Sequence, residues 1–308
     1  MTVIFHVGTP KSATSTLQAA FFPNLNGALF LGKHVDRAAG REFYVNERIN
    51  HFIHNVSNTY RDYVADPGLA NHIRDLASDK QTIILSDESF CVFSGVDPLT
   101  KIERMCAALA PFAPFKVILA ARDQISLWKS DYLTQHRSEM LRHPGYEKAW
   151  YPNFDQFISM HFRYAHGAVL ESYRYATLLR DYAQLFGRNH VMAYAFEDFK
   201  SSPHTILASM ADFIGVEVPD AHINEVIQTR ENTHYSARTY SYNTWRKRLL
   251  GDAHLGWLVP HRLHRRLRTW MANGGYLEVT MSPDTLRRLT DYYADDNAQL
   301  KAEWGISL

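Results

Sequence analysis

The sequence predicts an α/β fold in three layers, a central and mostly parallel sheet flanked by helices. Three observations carry this. Apolar runs of strand length recur at 3–7, 82–86, 115–121 and 191–195. Stretches with helical spacing of apolar residues separate them, and strands alternating with helices imply parallel pairing with helices on both faces. A chain of 308 residues is long enough to bury such a sheet.

Val3 to Val7 is the first strand. Gly8, Thr9 and Pro10 break it, and Ala13 to Phe21 reads as a helix with Leu17, Ala20 and Phe21 on its buried face. Residues 27–34 read as a short strand or extended turn. One or two helices follow within 41–80, ending near Asp66-Pro67-Gly68. The strand at 82–86 ends in Asp87-Glu88-Ser89. Residues 98–110 form a helix with Ile102, Met105, Cys106 and Leu109 on one stripe, stopped by Pro111. The strand at 115–121 runs into Arg122-Asp123 and another helix. Residues 146–154 read as a loop and 155–186 as helical. After the strand at 191–195, Pro203 to Ile214 is a helix closed by Gly215, and 283–308 is a closing helix and tail.

Composition excludes several classes. The formal charge of +1 gives no global attraction to nucleic acid. Two cysteines, Cys91 and Cys106, both in apolar surroundings, read as buried free thiols. There is no signal peptide and no apolar run of transmembrane length. His51 and His54 belong to packing, since no nearby cluster completes a metal site. The sixteen histidines are scattered, so much surface charge changes between pH 5 and 7. Residues 246–268 carry seven Lys/Arg against the single acid Asp252. They read as an amphipathic helix with a solvated basic face; sharper alternatives are a lip over an anionic ligand or weak contact with an anionic membrane surface.

Ligands of parallel sheets sit beyond the carboxyl ends of the strands. Lys11, Asp87, Glu88 and Arg122 all lie just past such ends. A strand, a tight turn with a lysine and hydroxyls, and a helix is an arrangement that holds phosphate, because the free N–H groups and dipole of the first helical turn face the anion. The turn is not a Walker A loop, for no glycine precedes Lys11.

Pro10-Lys11-Ser12-Ala13-Thr14-Ser15-Thr16-Leu17 instead resembles the 5′-phosphosulfate loop of the sulfotransferases that use 3′-phosphoadenosine-5′-phosphosulfate (PAPS), usually Pro-Lys-Ser/Thr-Gly-Thr-Thr-x-Leu. Ala13 stands for the usual Gly and Ser15 for a Thr; the first change matters if that backbone needs φ > 0. Arg122, with Ser130 eight residues on and Tyr132 completing Ser-x-Tyr, resembles the family's 3′-phosphate signature, although Gln124 occupies a position that is often Pro. Tyr194 to Phe199 and Asp212 to Val216 resemble a further stretch of the same family.

The resemblance covers most of the sheet and is thin over 40–80 and 134–185. It implies a P-loop-like fold in a single domain, 1–308, with substrate-facing helical insertions around those two stretches. It implies a cytoplasmic, bacterial-type enzyme that binds PAPS, with 3′,5′-ADP as product and no metal. Lys11, Ser12, Ala13, Thr14, Ser15 and Thr16 would hold the 5′-phosphate, Arg122 and Ser130 the 3′-phosphate. Lys11 would stabilise the transferring group, and Glu88, with Asp87 as rival, would act as base. The Arg/His/Tyr-rich middle suits a glycan or glycolipid acceptor. Two other classes stay open: a P-loop kinase or NTPase, with Asp87-Glu88 as the nearest metal-binding candidate, and a non-catalytic nucleotide- or glycan-binding protein.

Overall fold

The computed structural model describes residues 1–36, 41–137, 152–163, 168–229, 236–250, 270–271, 273–275 and 277–308. Five strands, β1 (Thr2–Gly8), β2 (Ala28–Phe30), β5 (Thr82–Ser86), β6 (Phe115–Ala121) and β7 (Val191–Ala195), form one sheet in the order β2-β5-β1-β6-β7. Every pairing in it is parallel. The three-layer, P-loop-like α/β fold is therefore observed, with β1 central. β3 (His34–Asp36) and β4 (Arg41–Phe43) form a separate antiparallel pair that the sequence pattern did not reveal.

Both faces of the sheet are buried, as the continuous apolar runs require. Ile4, Ile84, Ile118, Ala120 and Tyr194 join Leu17, Phe21, Phe22, Leu207, Met210 and Ile223 in one core. This places the first helix and the helices Pro203–Ile214 and Asp220–Gln228 on that face. The alternate residues Val3, Phe5, Val7, Ile83, Leu85, Val117 and Leu119 are all fully buried on the other. There the helix Tyr175–Phe186 packs on β6 and β7.

Two helix predictions are corrected and one is resolved into its parts. The Asp66-Pro67-Gly68 break is not the end of the helical stretch but the joint between helices Glu47–Asn58 and Leu69–Ala77. There Asp66 accepts from Arg48 Nε and Nη2, each at 2.6 Å, and from the Gly68 N–H. Residues 155–186 are helical as expected, and among the described residues they comprise the helices Phe154–Arg163, Ala168–Glu171 and Tyr175–Phe186. The first helix begins at Thr14 and continues through a π-type turn, Leu17–Phe21, and a 3₁₀ turn, Phe22–Asn24. Both thiols are free, Cys91 buried and Cys106 half-buried.

The chain divides into two compact units. The first, residues 1–124, 165–231 and 292–308, contains the sheet. Its C-terminal helical segment is tied in by Asp296, buried, which accepts from the N–H groups of Ala176 and Thr177 and so caps the helix there. Gln124 exchanges two amide hydrogen bonds with Asn297, at 2.8 and 3.1 Å. That pairing gives Gln124 a use which proline could not serve.

The second unit, residues 125–164 and 232–291, is helical among its described residues and built on aromatic rings. Trp128, Tyr132, Phe154 and Phe157 are buried in it. The Tyr132 hydroxyl donates to the Pro152 carbonyl at 3.0 Å and shares a 2.8 Å hydrogen bond with Tyr240. His136 is fully buried and stacked on Tyr240, which makes it a packing residue. The basic stretch 246–268 lies largely outside the described residues.

Candidate functional site

The strand order brings the ends of β5, β1, β6 and β7 to one edge of the sheet, with β1 between β5 and β6. The sequence predicted that convergence of Lys11, Asp87, Glu88 and Arg122.

The turn after β1 is built from backbone that residues other than glycine seldom adopt. Lys11 has φ 65° and Ala13 has φ 64°, both left-handed. The condition attached to Ala13 is met: its backbone does take the conformation that suits glycine. Gly8 is needed for another reason, since a Cβ there would meet Thr14 Oγ1 at 2.6 Å. One carbonyl organises the turn. Thr9 O accepts from Ser12 N at 3.3 Å, Ser12 Oγ at 2.6 Å and Thr14 Oγ1 at 3.3 Å, while Thr9 Oγ1 donates to Ala120 O at 2.9 Å. Ser12 and Thr14 are therefore buried bracing groups. Lys11 is exposed and Ser15 half-buried. Ala13, at the N-cap, brings no capping side chain to the following turn. The result is a short cradle lined by backbone N–H groups with an ammonium beside it, chemistry that fits an anion.

Arg122 closes the cradle from β6. Its guanidinium donates to the Lys11 carbonyl and lies 4.9 Å from the centre of the Phe196 ring, over its face. Lys200 lies 4.9 Å from the same ring. Arg122 and Lys200 are thus gathered around one aromatic residue at the end of β7. Ser130 is half-buried on the helix Gln124–Arg137 and belongs to the second unit.

Beneath the cradle lies a polar network that the sequence reading missed. His6 is fully buried on β1, and its Nδ1 is 2.7 Å from Ser86 Oγ on β5. Gln18, buried on the first helix, donates to Ser86 O and Oγ at 3.2 and 3.1 Å. Burial lowers the His6 pKa to about 3, so the imidazole is neutral at any ordinary pH. A histidine inside an apolar strand and a glutamine on a buried helix stripe were the available signals.

At the end of β5 the two carboxylates differ. Asp87 is 4% exposed and its oxygens are engaged. Oδ1 accepts from the Ser89 N–H at 2.7 Å, capping the short turn Glu88–Phe90; Oδ2 accepts from the Tyr44 hydroxyl and lies 3.7 Å from Lys33 Nζ. Glu88 is more exposed. The loop beyond it is held from below by Lys101, a fully buried lysine. Its ammonium donates to Ser89 O at 2.7 Å, Val92 O at 2.5 Å and Ser94 Oγ at 2.9 Å. Burial brings its pKa down to about 8. Among the described residues no cluster of His, Cys, Asp and Glu could hold a metal ion, and no helix is long and apolar enough to cross a membrane.

No family profile and no curated protein matches the sequence. Among solved structures the chain is similar to a sulfotransferase from Alicyclobacillus acidocaldarius, at 17% identity and a TM-score of 0.55, covering 99% of this chain and 96% of that one. Looser likenesses include the sulfotransferase domain from the curacin biosynthetic pathway, 13% identical with a TM-score of 0.46 over 94% of this chain and 96% of that one. Mouse sulfotransferase SULT7A1 complexed with PAP is 12% identical with a TM-score of 0.45 over 98% and 85%. The first of these establishes a shared fold.

Proposed function

We propose that this protein is a sulfotransferase that moves a sulfuryl group from PAPS to a hydroxyl or amine of an acceptor. The observation that carries the reading is the cradle after β1, with two left-handed residues, an exposed Lys11, and Arg122 reaching into it from the neighbouring strand end.

The residues fit this donor. The backbone N–H groups of the turn between Lys11 and Ser15, with Ser15 at its open side, hold the 5′-phosphate; the N–H groups of Ser12 and Thr16 are given to Thr9 O and Ala13 O, and the Ser12 and Thr14 hydroxyls keep the turn in shape. Arg122 holds the 3′-phosphate, because its planar fork donates two parallel bonds to a phosphate. When bound, the donor supplies the sulfuryl group and a bisphosphate leaving group. Lys11 stabilises the charge that grows on the leaving oxygen, the main source of catalysis in transfers of this kind. Glu88 takes the proton of the acceptor. Asp87, with both oxygens engaged, holds the end of β5 in place. The arginines, histidines and tyrosines of 134–176 still point to a sugar-bearing acceptor, a glycan or glycolipid; most of 134–151 lies outside the described residues.

The test is a thermal-shift comparison of 3′,5′-ADP, 5′-AMP and ATP-Mg²⁺. A ligand that binds only the folded state stabilises by RT ln(1 + [L]/Kd), about 2.7 kcal/mol at a hundredfold excess over Kd. 3′,5′-ADP is expected to give the largest shift. Equal shifts for 3′,5′-ADP and 5′-AMP would remove the 3′-phosphate assignment, and a shift confined to ATP-Mg²⁺ would indicate a kinase or NTPase.

A further inference from the structure

An open-mouthed cavity of about 230 Å³ lies beside the edge strand β2, lined by Leu29, Phe30, Leu31, Ile49 and Leu76. Val45 lines it while 71% exposed and so forms the rim. The cavity adjoins the carboxylate end of β5. Leu31 N and Lys33 N donate to Ile84 O and Ser86 O, carrying the β2 segment alongside β5 up to its last residue. Gly32 makes that approach possible, since a Cβ there would meet Ser86 O at 2.7 Å. Tyr44, a lining residue, donates its hydroxyl to Asp87. One wall is thus one hydrogen bond away from the pair Asp87-Glu88.

Among the described residues three polar side chains line the cavity, and two of them are committed within the protein. Asn46 Oδ1 accepts from the Ile49 N–H at 3.1 Å as a helix cap, and its Nδ2 is 3.0 Å from His72 Nε2. The Tyr44 hydroxyl is given to Asp87. His34 sits between the Phe30 and Phe43 rings, with centroids at 4.9 and 5.8 Å, and burial lowers its pKa, which keeps the ring uncharged at neutral pH. A sugar brings several hydroxyls, each of which loses water on entry and needs a partner. This lining answers one such group and offers hydrocarbon contact for everything else.

We infer that this cavity is the acceptor pocket and that it takes the hydrocarbon part of an uncharged alcohol, a chain or a single ring, with the hydroxyl turned toward His34 and the β5 end. The word acceptor rests on the sulfotransferase reading; the ligand chemistry rests on the lining alone. For a glycolipid it is the hydrocarbon, not the sugar, that occupies this space.

The experiment is calorimetric titration with 1-octanol and with glucose, on the full chain and on Val45→Trp, with 3′,5′-ADP titrated into both. Val45 is at the exposed rim, so its replacement fills the cavity without disturbing the core; Leu76→Trp, from the facing helix, is a second filling variant. Octanol is expected to bind the natural chain and to bind both variants at least about tenfold more weakly, a change of about 1.4 kcal/mol. Glucose is expected not to bind, and the response to 3′,5′-ADP is expected to be the same in all three proteins. Glucose binding without octanol binding, or octanol binding that ignores both tryptophans, would overturn the inference even where 3′,5′-ADP binds well. Octanol binding blocked by both tryptophans in a protein that ignores 3′,5′-ADP would uphold the pocket and remove the donor assignment.

Discussion

The turn after β1 and the end of β5 sit on adjacent strands and are held in opposite ways. The turn is largely a local object: Thr9, Ser12 and Thr14 brace it through hydrogen bonds spanning at most five residues, and its distant ties, Thr9 to Ala120 and the Lys11 carbonyl to Arg122, both go to the end of β6. The end of β5 is assembled from afar. Lys33, Tyr44 and Lys101 converge on it from three other segments. The one described side-chain bond joining the two strands beneath the site is His6 to Ser86, eighty residues apart. A locally braced turn can grip a constant group, such as a phosphate, whatever the rest of the chain does. A site collected from distant segments can be reshaped by changing any of them, which suits the side that must distinguish acceptors.

The largest effect that would sharpen this contrast is expected at β5. Glu88→Gln keeps shape but removes the basic oxygen, and sulfate transfer is expected to fall about 10²–10⁴-fold with 3′,5′-ADP binding unchanged. Asp87→Asn should instead lower the melting temperature, because the Tyr44 and Lys33 contacts lose their charged partner. Normal turnover in Glu88→Gln together with a collapse in Asp87→Asn, at equal stability, would exchange their roles.

On the turn, Lys11→Ala is expected to depress turnover about 10²–10³-fold, the cost of one transition-state donor. Its effect on 3′,5′-ADP affinity should be much smaller, because the product lacks the sulfuryl group that Lys11 also steadies while the bond to the leaving oxygen breaks. Equal losses in the two measurements would make Lys11 a binding residue only.

The bridge between the two regions is read through acid. An unfolded chain protonates His6 as pH falls through about 6.5, whereas the folded chain resists until about 3. Stability is therefore constant in this respect above 6.5 and lost as pH falls from 6.5 toward 3, by at most about 1.4 kcal/mol per pH unit. Denaturant midpoints measured between pH 7 and 4 should show a shallower decline in His6→Gln, which can still bond Ser86. Identical slopes would mean that other groups govern acid unfolding.

The smallest effect concerns Ala13. A left-handed alanine is strained by about 1–2 kcal/mol, which glycine relieves while losing a methyl packed against the core and gaining disorder when unfolded. Ala13→Gly should stabilise by under about 1 kcal/mol, seen as a small rise in melting temperature. A clear fall would show that the methyl contact outweighs the strain.

What was legible in the sequence follows the same division. The strands and the β1 turn were readable because their signals lie within a few residues, and even the backbone at Ala13 could be posed as a condition. The contacts that hold the end of β5 were not, since nothing near Tyr44 announces its meeting with Asp87, 43 residues away, and nothing near Lys101 its meeting with Ser89, 12 residues away. The β3–β4 pair failed for a related reason: three-residue strands are too short to show a period. Asp66-Pro67-Gly68 was recognised as a break but not as a joint, because a turn signal does not say whether another helix follows.

Lys101 has a consequence for chemistry done on the protein. An amine that is fully buried and gives all three hydrogens to neighbouring oxygens is closed to acylating reagents while the 89–94 segment keeps its shape. Its labelling is then gated by opening of that segment. In a timed acetylation read by mass spectrometry, exposed Lys11 marks the reagent's own pace. The lag at Lys101 measures how often the floor beneath Glu88 gives way, and an acceptor that tightens that floor would lengthen the lag without touching the lysine.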